Sequence, residues 1–82
     1  MTVDEQIKEY IAKNLLFSDN GFPYSDDASF LEEGIVDSVG VMELVAFVEE
    51  HFRIKVDDAD VTPENFDSVK RLSAFIHNKS AA

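Results

Sequence analysis

The sequence predicts an all-α fold: a small four-helix bundle of three longer helices plus a short third helix, with a long loop between helices one and two. Three observations carry this expectation. Apolar residues recur at i, i+3 and i+4 in three separate stretches. Turn formers crowd one long interval, from Phe17 to Val36. The single alternating segment, Arg53-Ile54-Lys55-Val56, would be a lone strand without a partner.

The first helix is expected from Thr2 to Leu16. Thr2 and Glu5 have the spacing of a capping box, and Val3, Ile7, Tyr10, Ile11 and Leu15 line one face. Lys8 and Lys13 fall off that face. Phe17 to Val36 then reads as a loop, through Ser18, Asp19, Asn20, Gly21, Pro23, Ser25, Asp26 and Asp27, with Phe22, Tyr24, Phe30, Leu31 and Ile35 available to pin it down. A connection this long in a small domain is unusual and often functional. The second helix is expected from Ser38 to Phe52, with Asp37 or Ser38 as N-cap. Val41, Leu44, Val45, Val48 and Phe52 form its core stripe, so Val39, Met42, Glu43, Ala46 and Glu50 point away and Glu49 flanks them. Asp57 is expected to cap a short third helix through Val61, interrupted by Thr62-Pro63-Glu64-Asn65. The last helix is expected from Asp67 or Ser68 to His77, buried through Val69, Leu72, Phe75 and Ile76, with a frayed tail from Asn78.

The 82 residues read as a single domain, 1–82, with a modest core and little room for an enclosed active-site cleft. No apolar run approaches membrane-spanning length. Met1-Thr2-Val3-Asp4-Glu5 lacks the basic-then-apolar pattern of a signal peptide, so a cytoplasmic protein is expected. There is no cysteine, which removes disulfides, thiolate catalysis and thiolate metal sites. The net charge of −10 argues against nucleic acid, whose phosphates need Lys and Arg, and favours basic partners. No Lys or Arg lies between Lys13 and Arg53. That interval holds Asp19, Asp26, Asp27, Glu32, Glu33, Asp37, Glu43, Glu49 and Glu50, which is either a solvated face or a docking surface.

Ser38 stands at the start of the acidic second helix, inside Gly34-Ile35-Val36-Asp37-Ser38-Val39-Gly40-Val41-Met42-Glu43-Leu44. A serine there is exposed, and a helix N-terminus favours an anion attached to it. As a hydrolytic nucleophile Ser38 lacks a base. His51 is thirteen residues along the same helix, roughly 20 Å away at the helical rise. His77 has no obvious orienting carboxylate. Calcium loops fail as well, because the run from Asp19 places Gly21 and Pro23, and that from Asp57 places Ala59 and Val61, where oxygen ligands belong. No catalytic residue and no metal ligand is assigned. A carrier that holds acyl groups as thioesters needs a thiol. A chain without one must receive it on an attached arm, and a phosphodiester to an exposed serine supplies such an arm.

Asp37-Ser38-Val39 resembles the Asp-Ser-Leu attachment motif of acyl carrier proteins. The similarity extends through Met42-Glu43-Leu44-Val45, Glu49-Glu50-His51-Phe52, Ile54-Lys55-Val56 and Pro63-Glu64-Asn65-Phe66-Asp67-Ser68-Val69, nearly the whole chain. The resemblance implies a four-helix bundle carrying 4′-phosphopantetheine, derived from coenzyme A, on Ser38, placed there by a phosphopantetheinyl transferase. It also implies that the second helix recognises partners, acyl or aminoacyl ligases and synthases with basic patches, through Asp37, Val39, Met42, Glu43 and Glu49, with Asp58 a further member. The expected molecule is a monomeric, non-catalytic carrier of acyl intermediates in fatty-acid-like, lipid or secondary-metabolite synthesis. Val39 replaces the usual Leu, Gly40 replaces a polar residue, Ile35-Val36 replace Gly and a small residue, and the first loop is longer. These departures resemble a specialised stand-alone carrier. A peptidyl or aminoacyl carrier and an unmodified acidic interaction module are the alternatives.

Overall fold

The computed structural model describes residues 2–81. Helix α1 spans Val3–Asn14, α2 Ser38–Phe52, α3 Pro63–Phe66 and α4 Val69–Ala81, with a 3-10 turn at Asp58–Asp60. Among the described residues there is no strand. The chain is a small all-helical bundle, as the sequence predicts.

Thr2 opens α1 by accepting the Glu5 N–H at 3.2 Å, the expected cap. The helix stops at Asn14 rather than Leu16. The Leu16 N–H reaches back to the Ile11 carbonyl at 2.9 Å and the Ser18 N–H to Ala12 at 2.7 Å. These bonds satisfy last-turn carbonyls, and they require Phe17 at φ +52, the left-handed region. Helix α2 has the expected bounds and ends where Arg53 takes φ +55.

The third helix is displaced from its expected place. Asp57 to Val61 gives only the 3-10 turn, closed by Asp60 N–H to Asp57 O at 2.9 Å and Val61 N–H to Asp58 O at 3.2 Å. The helix proper begins at Pro63, read from sequence as an interruption. At the first helical position the missing N–H of proline costs nothing, because that group has no intrahelical partner anyway. Helix α4 starts at Val69, immediately after Ser68, the later of the two expected starts. Ser68 caps it, its hydroxyl accepting the Arg71 N–H at 3.0 Å. It also runs beyond His77, through the stretch expected to fray. Lys79, in the last turn, ion-pairs with Asp60 at 2.9 Å and reaches Asp57 at 3.9 Å, 5.8 Å above the Phe75 ring. Lys79, and then the Asp57 N–H, hold the Asp60 carboxyl below its ordinary value, while Asp60 pushes the Lys79 ammonium up. Because the folded Asp60 value is depressed, this contact stabilises the fold above the ordinary carboxylate range and is lost as pH falls through the lowered value.

The core joins Ile7 and Ile11 of α1, Leu44 and Val48 of α2, Phe66 of α3, and Val69, Leu72, Phe75 and Ile76 of α4. Tyr10, Phe47 and His51 stack where α1 meets α2. The Tyr10 and Phe47 centroids lie 4.0 Å apart and those of Phe47 and His51 5.0 Å apart. The His51 Nε2 meets the Gln6 Oε1 across the same junction. A part-buried hydrogen bond from the Ser73 hydroxyl to Asp4 at 2.5 Å ties α4 to the start of α1.

The loop from Leu15 to Asp37 is fastened at two places. Lys8 holds Asp26 at 2.6 Å while the Asp26 carbonyl accepts the Lys70 N–H at 3.0 Å. The stronger fastening is Asp67. Its carboxylate accepts the Ser29 hydroxyl at 2.6 Å and the Leu31 N–H at 3.1 Å, and its carbonyl accepts the Phe30 N–H at 2.9 Å. Phe30 is driven into the core, 1% exposed. Its carbonyl takes the N–H groups of Ile35, at 2.8 Å, and Val36, at 3.2 Å. The turn that brings these together places Gly34 at φ +68, where a side chain would strain the backbone. Ile35 and Val36 are buried beyond it, and α2 begins two residues after Val36.

Replacing Asp67 with Ala leaves the Ser29 hydroxyl and the Leu31 N–H without their acceptor. The expected loss is about 1–3 kcal/mol, read by chemical denaturation. Faster amide exchange should be confined to Phe30 to Val36, and uniform exchange across the chain would contradict the clamp.

Candidate functional site

The N-terminus of α2 presents Ser38 as its first residue, with the side chain exposed. Asp37 is the cap. Its carboxylate accepts the Gly40 N–H at 2.7 Å and its carbonyl the Val41 N–H at 2.9 Å. The N–H groups of Ser38 and Val39 then stand open at the positive end of the helix, with no acceptor among the described residues.

The chain has seven serines, and the structure sorts them. Ser29 and Ser73 donate to carboxylates, Ser18 accepts the Asn20 N–H, and Ser68 caps α4. Ser25, Ser38 and Ser80 have hydroxyls without a partner among the described residues. Ser80 stands in the last turn of α4, the end that repels anions. Ser25 belongs to the loop. Among the described residues, only Ser38 sets an unbound, exposed hydroxyl at the start of a helix, beside that helix's open backbone donors.

Gly40 has a packing reason that the sequence does not disclose. A Cβ on Gly40 would sit 3.0 Å from the Val36 Cγ1 and 3.3 Å from the capping oxygen of Asp37. Buried Val36 occupies the place a side chain in the first turn of α2 would need.

Around Ser38 the expected contact residues are mostly displayed. Val39 is 69% exposed and Met42 64%, and Glu43 and Asp58 are exposed, Asp58 at the start of the 3-10 turn. Glu49 differs: it is half-buried, and its carboxylate accepts the Val56 N–H at 3.0 Å, bracing the chain after α2. Asp26 and Asp27 are paired with Lys8 and Lys70. The unpaired acids of the interval are therefore Asp19, Glu32, Glu33, Glu43 and Glu50. The field of the helix is felt at Tyr10, whose phenol is pushed up by burial first and then by Glu43 and Glu50. Leu31, expected from sequence to help pin the loop to the core, is instead 54% exposed on the clamped turn. With Phe30, Val41, Val61, Pro63 and Phe66 it borders an apolar pocket of about 140 Å³ between α2 and α3. Val41 is one turn along α2 from Ser38, but Leu31 comes from the loop and has no periodicity to reveal it.

Among the described residues no group of His, Asp and Glu fits a metal ion, and no helix is long and apolar enough to cross a membrane. His77 is exposed on α4 and His51 lies at the far end of α2, stacked on Phe47.

Such a bundle offers an exposed serine at a helix start. The family model described as phosphopantetheine attachment site matches residues 5–76. The acyl carrier protein of Buchnera aphidicola subsp. Schizaphis graminum is 32% identical over 78 residues, covering 95% of this chain and 94% of that one. The acyl carrier protein of Nitratidesulfovibrio vulgaris (strain DSM 19637 / Miyazaki F) is 34% identical over 79 residues, covering 96% and 99%. The D-alanyl carrier protein of Abiotrophia defectiva is 32% identical over 56 residues, covering 68% and 71%. The chain belongs to the acyl carrier protein family, and its cofactor is a covalently attached 4′-phosphopantetheine.

Gly40→Ala should gain less stability than the roughly 1 kcal/mol that helix propensity alone would give, because Val36 and the Asp37 cap must yield. Combined with Val36→Ala it should show a coupling of about 0.5 kcal/mol or more in a double-mutant cycle. Simple additivity would mean that Val36 does not constrain the first turn.

Proposed function

We propose that the chain bears its phosphopantetheine on Ser38 and carries acyl groups to partner enzymes, catalysing nothing itself. The observation that carries the assignment is the unbound Ser38 hydroxyl beside the open N–H groups of Ser38 and Val39. The arm supplies a thiol that holds cargo as a thioester. The protein's own contribution is placement. Asp37 fixes the first turn, buried Val36 sets where it starts, and the helix end favours the phosphodiester charge. The apolar pocket one turn away suits an alkyl group, which supports acyl cargo in lipid or secondary-metabolite synthesis. The similarity to a D-alanyl carrier protein supports aminoacyl cargo as the second reading.

The test is incubation with coenzyme A and a promiscuous phosphopantetheinyl transferase. The wild-type chain should gain the arm's mass on Ser38, and Ser38→Ala should fold and gain none. Modification of that variant at Ser25 would refute the assignment. Mass spectrometry of the protein isolated with its cargo then distinguishes acyl from aminoacyl groups.

The partner surface is the outer face of α2, with Val39 and Met42 between Glu43 and Glu49, Asp37 at the helix start and Asp58 beyond its end. Charges on it raise encounter rates with basic partners, and apolar contacts lengthen residence. Glu43→Lys with Glu49→Gln changes the charge while keeping an acceptor for Val56. This variant should be modified about tenfold less efficiently at low salt, mainly through a higher KM. Added salt should reproduce part of the defect in the wild type. Equal transfer kinetics for both proteins, with several transferases, would leave the acidic face as solubility alone.

A further inference from the structure

We infer that Asn20 is a site of spontaneous deamidation, converting to aspartyl and isoaspartyl residues within the folded protein. The chain has four asparagines, and their surroundings separate them. The Asn14 side chain donates to the Tyr10 carbonyl at 3.1 Å, and that of Asn65 to the Asp60 carbonyl at 2.9 Å. The backbone nitrogens that follow are also committed, Leu15 to Ile11 at 3.0 Å and Phe66 to Thr62 at 2.9 Å. Asn78 lies within α4 and precedes Lys79. Asn20 is exposed, its side chain has no hydrogen-bond partner among the described residues, and the next residue is Gly21. Asn14 and Asn78 are exposed too, but only Asn20 is followed by a glycine. The Gly21 N–H donates no bond among the described residues either. Open space lies beside the Gly21 Cα, with no atom beyond the adjoining residues within 4 Å of where a Cβ would stand. Ser18 holds only the Asn20 main-chain N–H, at 3.3 Å.

The chemistry needs only water. The Gly21 backbone nitrogen gives up its proton and attacks the Asn20 Cγ, forming an N–C bond. The Cγ–Nδ2 bond breaks and ammonia leaves with the proton. Water then adds to either carbonyl of the resulting succinimide and a ring C–N bond opens, the proton returning to nitrogen. Attack at one carbonyl gives aspartate and at the other isoaspartate. The balance is asparagine plus water to aspartate or isoaspartate plus ammonia, with no redox change.

The segment borders a groove of about 350 Å³ whose walls include Lys8, Lys13, Gly21 and Phe22. Conversion makes the net charge of −10 one unit more negative, next to a groove whose walls also hold Glu5, Glu9 and Asp19. The isoaspartyl form also routes the main chain through Cβ, lengthening the loop just before Phe22, which packs on the core. The product carries the carboxylate that S-adenosylmethionine-dependent isoaspartyl methyltransferases esterify, so an enzyme of that class is the reaction that would consume it.

The full chain and a synthetic peptide spanning Ser18 to Tyr24 are incubated side by side at neutral and mildly alkaline pH. Tandem mass spectrometry reads amide loss at each asparagine, and methyl transfer by a purified isoaspartyl methyltransferase reads the isomer. The expected result is loss of the Asn20 amide in chain and peptide at similar rates, faster at higher pH, with Asn14, Asn65 and Asn78 intact. Asn20→Gln should abolish methyl acceptance at this position. Conversion of the peptide while the full chain keeps its Asn20 amide would overturn the proposal, as would equal loss at Asn78.

Discussion

The Asp67 carboxylate is the constraint on which the arrangement of the molecule rests. A loop of more than twenty residues separates the first two helices, and loop closure alone would leave the start of α2 undetermined. Three hydrogen bonds to Asp67 remove that freedom by fixing Ser29, Phe30 and Leu31 against the α3–α4 junction. Phe30 then enters the core, its carbonyl collects the Ile35 and Val36 amides, and α2 has only one place to begin. The position of Ser38 therefore depends on a carboxylate far from it in sequence. The site is built on a turn held by charge-assisted hydrogen bonds, not on a loop free to sample alternatives.

The same accounting changes the meaning of the acidic composition. Counted along the chain, nine carboxylates face no cation. In space, Asp26 and Asp27 are neutralised from α1 and α4, Asp37 caps a helix, and Glu49 braces the chain that leaves α2. Net charge therefore overstates the field available to a partner, and what remains is concentrated at Glu32, Glu33, Glu43 and Glu50. Part of the acidity is mortar, and only the remainder is surface.

The sequence displayed most of this fold because helices announce themselves by period. The bounds of α2, its core stripe of Leu44, Val45 and Val48, and the outward Val39 and Met42 follow from spacing alone. Asp37 as cap and Ser38 as the exposed serine follow from the chemistry of helix starts. The third helix was less legible because Pro63 has two readings, breaker or first residue, and only neighbouring packing decides between them. The length of α4 was hidden because Lys79 finds its partners, Asp57 and Asp60, some twenty residues earlier. Leu31 and Asp67 were invisible as members of one site, since hydrogen bonds between loop and helix start follow no period. Gly40 was visible as an oddity, and its cause, the bulk of Val36, is a distance that no pattern contains.

The stack at the α1–α2 junction has a further consequence, optical rather than energetic. The chain has no tryptophan and only two tyrosines, so its fluorescence excited in the tyrosine band, beyond phenylalanine absorption, is theirs. Tyr10 lies 4.0 Å from Phe47, and its phenol donates to the Glu43 carbonyl at 3.4 Å. Tyr24 stands on the loop, edge-on to Phe22 at 5.6 Å. One chromophore thus senses how α2 seats on α1, and the other senses the loop. Removing either ring leaves a single-site reporter, so the two parts of the molecule that frame Ser38 can be followed separately without attaching a label.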